Sequence, residues 1–252
     1  MIVLNNLLFS LCLMLVAWGI YLKTKNPALI DIFWGLNICA MGLIYLFMRD
    51  TNTLTWIAGV LLVVWATRLS LFLLFTRGVK GHRDPRYEAL ASDWKQKALG
   101  FLGQYMLQGL LAWVIALPFF TLQYVQNIHA MTYLSVILIL VGIIGESLAD
   151  YQLYMHKQRG KKEVLKQGLW HYSRHPNYFF ECMIWLGFSV MGASLGLGLI
   201  SLLSITTLFC IMWFGTIPMT EAQSLKRRKD YPAYMESTSC FFPWYAKSKT
   251  KP

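Results

Sequence analysis

The sequence predicts an all-α integral membrane protein, built as a bundle of about seven transmembrane helices. Of its 252 residues, 56% are hydrophobic and only 14% are charged, whereas soluble domains carry about 25% charged residues. Several apolar runs approach or reach the roughly 20 residues that a helix needs to cross a bilayer. One membrane domain over residues 1–252 is expected, because the chain contains no internal repeat, Pro-rich linker or low-complexity segment.

The apolar runs place the helices in order along the chain. The predicted spans are residues 2–22, 29–48, 54–76, 100–124, 132–154, 177–193 and 196–219. The first run is too long for the core of a signal peptide and has no basic lead-in, so we expect it to be a true membrane helix.

The basic residues predict the orientation of the bundle. All Lys and Arg residues except Arg49 and Arg68 lie in the segments 23–28, 77–99, 155–176 and 220–252. With seven spans these segments share one side of the membrane, and the positive-inside rule assigns that side to the cytoplasm. The N-terminus is therefore expected outside and the C-terminus in the cytoplasm.

The net charge of +11 comes from these basic segments. It indicates topology and attraction to anionic membrane lipids, and it also suits a cofactor that carries phosphate groups. Nucleic acid is not expected as a partner, because the basic residues lie at membrane ends and form no separate domain. The five cysteines form no Cys-x-x-Cys pair, so we interpret them as small apolar residues and predict no metal site.

The densest group of polar side chains lies in residues 170–181, which read Trp-His-Tyr-Ser-Arg-His-Pro-Asn-Tyr-Phe-Phe-Glu at the mouth of the sixth span. Its polar members include Arg174, His175, Asn177, Tyr178 and Glu181. Ionisable groups at membrane depth are costly and usually mark a site. The alternative is structural: Pro176 begins the helix, and the neighbouring polar residues belong to the membrane interface.

Other polar residues lie inside the predicted spans. Asp31 either has a role in the site or caps its helix, and Arg68 either serves the site or pairs with Asp31. Glu146 and Asp150 are four residues apart and share one helix face; they either serve the site or bind the loop cations Lys157 and Arg159.

In the predicted topology these residues lie together at the cytoplasmic ends of their helices and form one polar layer. Its members are Asp31, Arg68, Glu146, Asp150, Arg174, His175, Asn177, Glu181 and Glu221. The layer predicts a polar cavity that opens to the cytoplasm.

From Gly168 to Glu181 the chain resembles the steroid 5α-reductase C-terminal-like family, which includes sterol reductases and bacterial membrane relatives. The Asp-Ile-Phe-Trp start of the second span, at Asp31, is shared with those relatives. The Ser-Arg-His-Pro-Asn-Tyr run is also shared with a cousin group, the isoprenylcysteine carboxyl methyltransferases. The resemblance covers most of the chain and is strongest over 140–245.

The resemblance implies a seven-helix membrane fold, expected here in a bacterial inner membrane. It also implies NADPH entering from the cytoplasm and a lipid substrate entering from the bilayer. Asn177 and Glu181 match the family's nicotinamide-binding Asn-(Tyr/Phe)-x-x-Glu. Glu146 and Asp150 match a cofactor-contacting Asn-x-x-x-Asp, with Glu146 in place of Asn. Further matches are Arg68 with Arg77-Gly78, Tyr231-Pro232, and Phe242-Pro243.

Two departures bear on the substrate. The steroid enzymes carry a Gln-Glu pair on the second helix that polarises the substrate ketone, whereas this chain has only Asp31 and Trp34 nearby. Their Arg-x3-His-x3-Tyr series is replaced by Thr216, Thr220 and Ser224. A glutamate, Glu221, is instead present, as in the methyltransferase cousins.

The first hypothesis is an NADPH-dependent reductase of a C=C bond in a lipid-like substrate: an enone, a steroid-like molecule, an isoprenoid or a fatty-acyl chain. The cofactor supplies the hydride, and the protein supplies the pocket and the acid. The acid is expected to be Asp31 or Tyr87, with Trp34 beside it. The expected cofactor-binding residues are Arg68, Glu146, Asp150, Lys157, Tyr172, Arg174, His175, Asn177, Tyr178, Glu181, Glu221, Arg228 and Tyr231.

Two other functions stay open. An S-adenosylmethionine-dependent methyltransferase would use the same Arg-His-Pro-Asn-Tyr segment and Glu221. A non-enzymatic bundle would bind or transport lipid through its polar layer. A continuous path needs a second polar layer near the opposite membrane face, and the sequence indicates none.

Overall fold

The computed structural model describes residues 1–78, 87, 90–125, 127–161, 163–193 and 198–246, and every regular element among them is a helix. The α-helices are α1 (Ile2–Thr24), α2 (Leu29–Phe47), α3 (Thr53–Leu73), α4 (Lys97–Ile115), α5 (Leu117–Leu122), α6 (Ala130–Gln158), α7 (Pro176–Gly192), α8 (Gly198–Cys210), α9 (Ile217–Arg227) and α10 (Tyr231–Ser237). Two π-helical turns, Leu74–Gly78 and Ile211–Thr216, extend α3 and join α8 to α9, and a 3-10 turn covers Gly168–His171.

Six helical stretches of the described chain are long and apolar enough to cross a membrane. They are Ile2–Thr24, Leu29–Phe47, Thr53–Arg77, Lys97–Leu122, Ala130–Gln158 and Gly198–Arg227. Helix α7, with 17 residues, occupies the position of the sixth predicted span. The prediction of an all-helical, multi-pass membrane protein is therefore confirmed, while its orientation stays a prediction.

The helix ends differ from the predicted spans at two places. The predicted span 100–124 is interrupted at Ala116, where Pro118 lies at the start of α5; proline has no N–H to continue the helical hydrogen bonds. The predicted span 196–219 continues as helix to Arg227, because its polar end remains helical beyond the apolar run that defined the prediction.

The described residues form two compact units. The first unit comprises Met1–Ser135 and Phe188–Thr207, and the second comprises Val136–Gly187 and Leu208–Pro252. The motif at 170–181 lies wholly in the second unit. Asp31 and Tyr87 lie in the first.

In the first unit, α1 and α2 run antiparallel and share a buried, uncharged polar layer. Asn6 Nδ2 donates to Met41 O at 3.1 Å, and Asn37 Nδ2 donates to Ser10 Oγ at 2.7 Å. Ser10 Oγ in turn donates to Gly109 O of α4 at 2.8 Å. Asparagine and serine form this layer, so it adds no ionisable residue, and the expectation of no second polar layer near the opposite membrane face stays a prediction. These groups bond neighbouring helices, a structural use of polar residues that is common in membranes.

In the second unit, two glycines of α6 let α7 approach closely. A Cβ atom at Gly142 would lie 2.9 Å from Phe180 O and 3.0 Å from Ile184 N, and one at Gly145 would lie 2.4 Å from the Phe180 ring. Small residues permit such close contact between membrane helices. The contact brings the two helices close enough for Asp150 of α6 to bind Asn177 of α7.

We expect Gly142→Ala to lower the melting temperature of the detergent-purified protein. The added methyl meets backbone atoms of α7, and overpacking of this kind costs about 1–3 kcal/mol. Gly103→Ala is the matched control, because nothing lies within 4 Å of the Cβ position at Gly103. Equal melting temperatures for the two variants would contradict the close α6–α7 contact.

Candidate functional site

The C-terminal tail, residues 231–246, holds the 170–181 motif in place by hydrogen bonds. Arg174 N donates to Ser239 O at 2.8 Å, and Trp244 N donates to Tyr172 O at 2.9 Å. Ser173 Oγ donates to Phe241 O at 2.8 Å. The turn before α7 is therefore fixed to the tail at three successive residues, Tyr172, Ser173 and Arg174.

One oxygen of Glu221, Oε1, lies at the centre of a cluster in the second unit. Arg174 Nε donates to it at 2.7 Å, and His175 Nε2 lies 3.3 Å from it. Tyr231 Oη donates to it at 3.4 Å, and Cys240 Sγ lies 3.9 Å from it. The side chains of Arg174 and Glu221 are only 10% and 13% exposed, so this ion pair is largely shielded from solvent.

Arg174 also binds the tail directly. Its Nη1 donates to Met235 O at 3.0 Å and to Thr238 O at 2.7 Å. Two of its three guanidinium nitrogens thus serve contacts within the protein. Its clearest role in the structure is to join the motif, α9 and the tail.

The groups that face Glu221 from the tail are neutral. Burial, followed by the negative charge of Glu221, raises the pKa of the Tyr231 phenol and of the Cys240 thiol. Both causes disfavour the ionised form. Tyr231 and Cys240 therefore act as proton-bearing neighbours of the carboxylate.

His175 connects the turn to α7 and α9. Its backbone N donates to Ser173 Oγ at 3.1 Å. Its ring stacks on Tyr178 with centroids 5.2 Å apart and planes 4° from parallel. The Tyr178 hydroxyl shares a 3.4 Å hydrogen bond with Thr220 Oγ1. The first turn of α7 therefore has a fixed orientation.

Three buried carboxylates lie on α6 and α7. Glu146, Asp150 and Glu181 are 5%, 7% and 5% exposed. Asn177 Nδ2 donates to Asp150 Oδ1 at 3.2 Å, and Trp185 Nε1 donates to Glu181 Oε1 at 3.1 Å. The structure thus brings the predicted residues of the two helices together and gives each helix an oriented carboxylate.

Of the two polar atoms of the Asn177 amide, the nitrogen has a hydrogen-bond partner and the oxygen has none among the described residues. Its Nδ2 must face Asp150, because the carboxylate accepts hydrogen bonds. Its Oδ1 is buried and has no hydrogen-bond partner among the described residues. A buried acceptor left without a donor costs about 1–3 kcal/mol, so this atom is a candidate ligand contact.

Three of the predicted cofactor residues lie at the surface or near it. Lys157 is exposed near the end of α6, and Arg228, half-buried, follows α9. Tyr172 is 40% exposed and makes an edge contact with Tyr245 at 6.1 Å between centroids.

In the first unit, Asp31 is the centre of a second cluster. Arg77 Nη1 donates to Asp31 Oδ2 and Tyr87 Oη donates to Asp31 Oδ1, each at 2.5 Å. Helix α2 begins after Ala28 without a side-chain cap, so the capping role considered for Asp31 is not what the structure shows. Trp34 packs edge-on against Trp65 at 6.4 Å. Arg68 is half-buried on α3, in the same unit.

The sequence missed two members of these clusters. Arg77 was recognised only as part of an Arg-Gly match, and Cys240 only as a small apolar residue. The Sγ atom of Cys240 and ligand atoms of His175 and Glu221 all lie within 4.8 Å of one another. Residues 46 and 19 positions apart give no spacing signal, so only the fold reveals this group.

Comparison with known proteins places the chain in a family. The profile of the family described as "Protein of unknown function (DUF1295)" matches residues 17–238. The chain belongs to this family. It is also 25% identical, over 270 residues, to an uncharacterised protein of Schizosaccharomyces pombe, covering 94% of this chain and 78% of the relative. No solved structure matches the chain. Because that relative is fungal, it lends no support to a bacterial inner membrane, which stays a prediction.

We expect Glu221→Gln to destabilise the second unit. The change leaves the shielded Arg174 guanidinium without its counter-charge, and breaking one side of a buried pair costs about 3–5 kcal/mol. The measurement is the melting temperature together with the rate of proteolysis after residue 230.

Lys166→Ala is the control for this prediction. Lys166 pairs with Asp230 at 3.8 Å, and the two side chains are 44% and 35% exposed. Exposed pairs contribute about 0–1 kcal/mol. A Glu221→Gln protein as stable as the Lys166→Ala protein would contradict the central role of the Arg174–Glu221 pair.

Proposed function

We propose that this protein is a membrane-embedded reductase that uses NADPH to reduce a C=C bond in a lipid-like substrate. The observation that carries the proposal is the buried Oδ1 of Asn177, which has no hydrogen-bond partner within the part of the chain that the structure describes. The nicotinamide of NADPH carries a carboxamide whose N–H groups would satisfy this acceptor. The resemblance of the surrounding motif to the steroid 5α-reductases supports the same assignment.

The residues of the second unit fit the nicotinamide end of such a cofactor. Asn177 is oriented by Asp150, and Glu181 is oriented by Trp185. When bound, NADPH supplies a hydride, and its ring gains positive charge as the hydride leaves. Buried carboxylates on α6 and α7 favour a positive charge in their neighbourhood, so they favour the oxidised ring.

The phosphate groups need positive charge outside the membrane core. Four consecutive cations lie at and just after the end of α9: Lys226, Arg227, Arg228 and Lys229. Lys157 lies in the last turn of α6. We assign these cations to the phosphates, rather than Arg174, whose nitrogens serve Glu221 and the tail. This assignment requires the proposed cytoplasmic orientation of both helix ends.

The resemblance of the Asp-Ile-Phe-Trp segment to the steroid 5α-reductase relatives is what assigns the proton donor to the cluster around Asp31. Asp31 accepts hydrogen bonds from both Arg77 and Tyr87. The Tyr87 hydroxyl carries the transferable proton, which it donates to Asp31 in this structure and must turn towards the substrate to deliver. The substrate is a lipid that presents a carbonyl to this hydroxyl, in an enone or a related group.

One observation favours the methyltransferase as the second candidate. Glu221 is held by Arg174 and His175 at 2.7 and 3.3 Å, and a glutamate at this position resembles the isoprenylcysteine carboxyl methyltransferases. That enzyme would bind S-adenosylmethionine, whose sulfonium charge also suits buried carboxylates.

We expect the purified protein to bind NADPH, and Asn177→Ala to weaken this binding. The variant loses one or two hydrogen bonds to a buried carboxamide, about 1–3 kcal/mol or roughly 5- to 150-fold in Kd. The measurement is a fluorescence titration with NADPH in detergent, with the melting temperature of each variant recorded in parallel.

Asn5→Ala is the control, because Asn5 is an exposed asparagine of α1. Unchanged affinity in a folded Asn177→Ala protein would sink the assignment of Asn177. Binding of S-adenosylmethionine instead of NADPH would favour the methyltransferase, and binding of neither would favour a non-enzymatic bundle.

We expect Tyr87→Phe to slow the single-turnover oxidation of bound NADPH by an enone lipid about 10²–10⁴-fold, the usual contribution of a general acid. Cofactor affinity should stay unchanged. Tyr105→Phe is the matched control, since Tyr105 is a buried tyrosine of the same unit.

Asp31→Asn separates the two candidate acids. If Tyr87→Phe keeps the parent rate while Asp31→Asn slows it, Asp31 is the donor. If both keep the parent rate and only the melting temperature of Asp31→Asn falls, the cluster is structural.

A further inference from the structure

We propose that His175, Glu221 and Cys240 form a binding site for a thiophilic divalent cation such as Zn²⁺. Their ligand atoms lie within 4.8 Å of one another. Imidazole nitrogen, carboxylate oxygen and thiolate sulfur are the three ligand types that protein zinc sites use. The Cys240 thiol, which carries its proton in the absence of metal, releases that proton to solvent when the ion binds. The proposal stands independently of the reductase assignment.

The spacing of the donors suits one metal ion. His175 Nε2 lies 3.3 Å from Glu221 Oε1, and Cys240 Sγ lies 3.9 Å from the same oxygen. In a tetrahedral zinc site with usual bond lengths, neighbouring donors lie about 3.3–3.5 Å apart. The first distance already matches, and the second needs a shift of about half an ångström. The donor atoms of His175 and Cys240, which lie within 4.8 Å of each other, must close to the same range.

The scaffold holds the three donors before any metal arrives. The backbone N of His175 is bound to Ser173 Oγ, and its ring is stacked on Tyr178. The tail carrying Cys240 is bound to the same serine, because Ser173 Oγ donates to Cys240 O at 3.3 Å. Glu221 is fixed on α9. A preformed site of this kind needs little ordering when it takes up the ion.

A pocket lies beside one of the three proposed ligands, Cys240. A pocket of about 370 Å³ in the second unit is lined by Arg174, by residues 235–240, and by Trp244 and Tyr245. Its walls include a ligand residue and the guanidinium next to the site. A hydrated cation therefore has an entry beside Cys240.

Arg174 lowers the affinity of the proposed site for the divalent cation. Its guanidinium lies 2.7 Å from the oxygen that the metal needs, so the cation must work against a fixed positive charge. Arg174 also donates to two carbonyls, Met235 O and Thr238 O, so its guanidinium stays beside the bound ion. The site is therefore tuned for reversible occupancy at raised free metal rather than for a permanent structural ion.

The test uses Co²⁺ as a spectroscopic stand-in for Zn²⁺ on the full-length protein in detergent, purified without a histidine tag. We expect one equivalent of Co²⁺ to produce a thiolate-to-cobalt charge-transfer band, and Zn²⁺ to remove it by competition. Cys240→Ser changes one atom; it should abolish the band and weaken Zn²⁺ binding roughly 10- to 100-fold. His175→Gln should weaken Zn²⁺ binding as well.

Cys210→Ser is the matched control, because Cys210 is an exposed cysteine of α8, and it should leave the band unchanged. Absence of a charge-transfer band in the parent protein would overturn the proposal. A band that survives in Cys240→Ser, or one lost equally in Cys210→Ser, would assign the metal to another cysteine and would overturn it too.

Discussion

The second unit depends on one shielded ion pair, Arg174 with Glu221. The guanidinium comes from the turn before α7, and the carboxylate from α9. Because Arg174 also donates to two carbonyls of the tail, a single side chain joins three segments that are far apart in sequence. A buried charge is tolerated only where its partner and hydrogen bonds are in place. His175, Tyr231 and Cys240 owe their positions around Glu221 to that requirement.

The fixed turn makes the first turn of α7 a useful binding surface. Asn177 and Glu181 lie one turn apart on α7, and the glycine contact at Gly142 brings α6 close enough for Asp150 to bind Asn177. The result is an amide with one end held and the other open, in a buried and negatively charged setting. This arrangement supports the proposed recognition of a carboxamide, and it is why we propose a reductase rather than a purely structural role.

Local patterns in the sequence could predict much of this arrangement. Apolar run lengths predicted six long membrane helices and α7, and the four-residue spacing of Glu146 with Asp150 predicted a shared face. The sequence could not predict the features that depend on contacts between distant segments. The layer of Asn6, Ser10 and Asn37 contains no ionisable residue, so a search of the sequence for charged groups within the spans does not find it.

The site was only partly predictable, because some of its residues are contiguous in the sequence and others meet only through contacts between distant segments. The motif residues around Asn177 are contiguous, so their polarity at a membrane helix start was enough to indicate them. The place of Cys240 depends on a tail that folds back over Ser173. The face on which Glu221 lies depends on the π-helical turn Ile211–Thr216, which shifts the helical phase away from the 3.6-residue period that sequence patterns assume.

The central claim is that the buried amide of Asn177 and the carboxylates around it hold a nicotinamide cofactor. The most direct measurement is mass spectrometry of the small molecules released from the detergent-extracted protein, compared with the Asn177→Ala protein purified in parallel. We predict that NADPH or NADP⁺ is recovered with the parent protein and is depleted from the variant. Recovery of S-adenosylmethionine, or of equal nicotinamide nucleotide from both proteins, would contradict the claim.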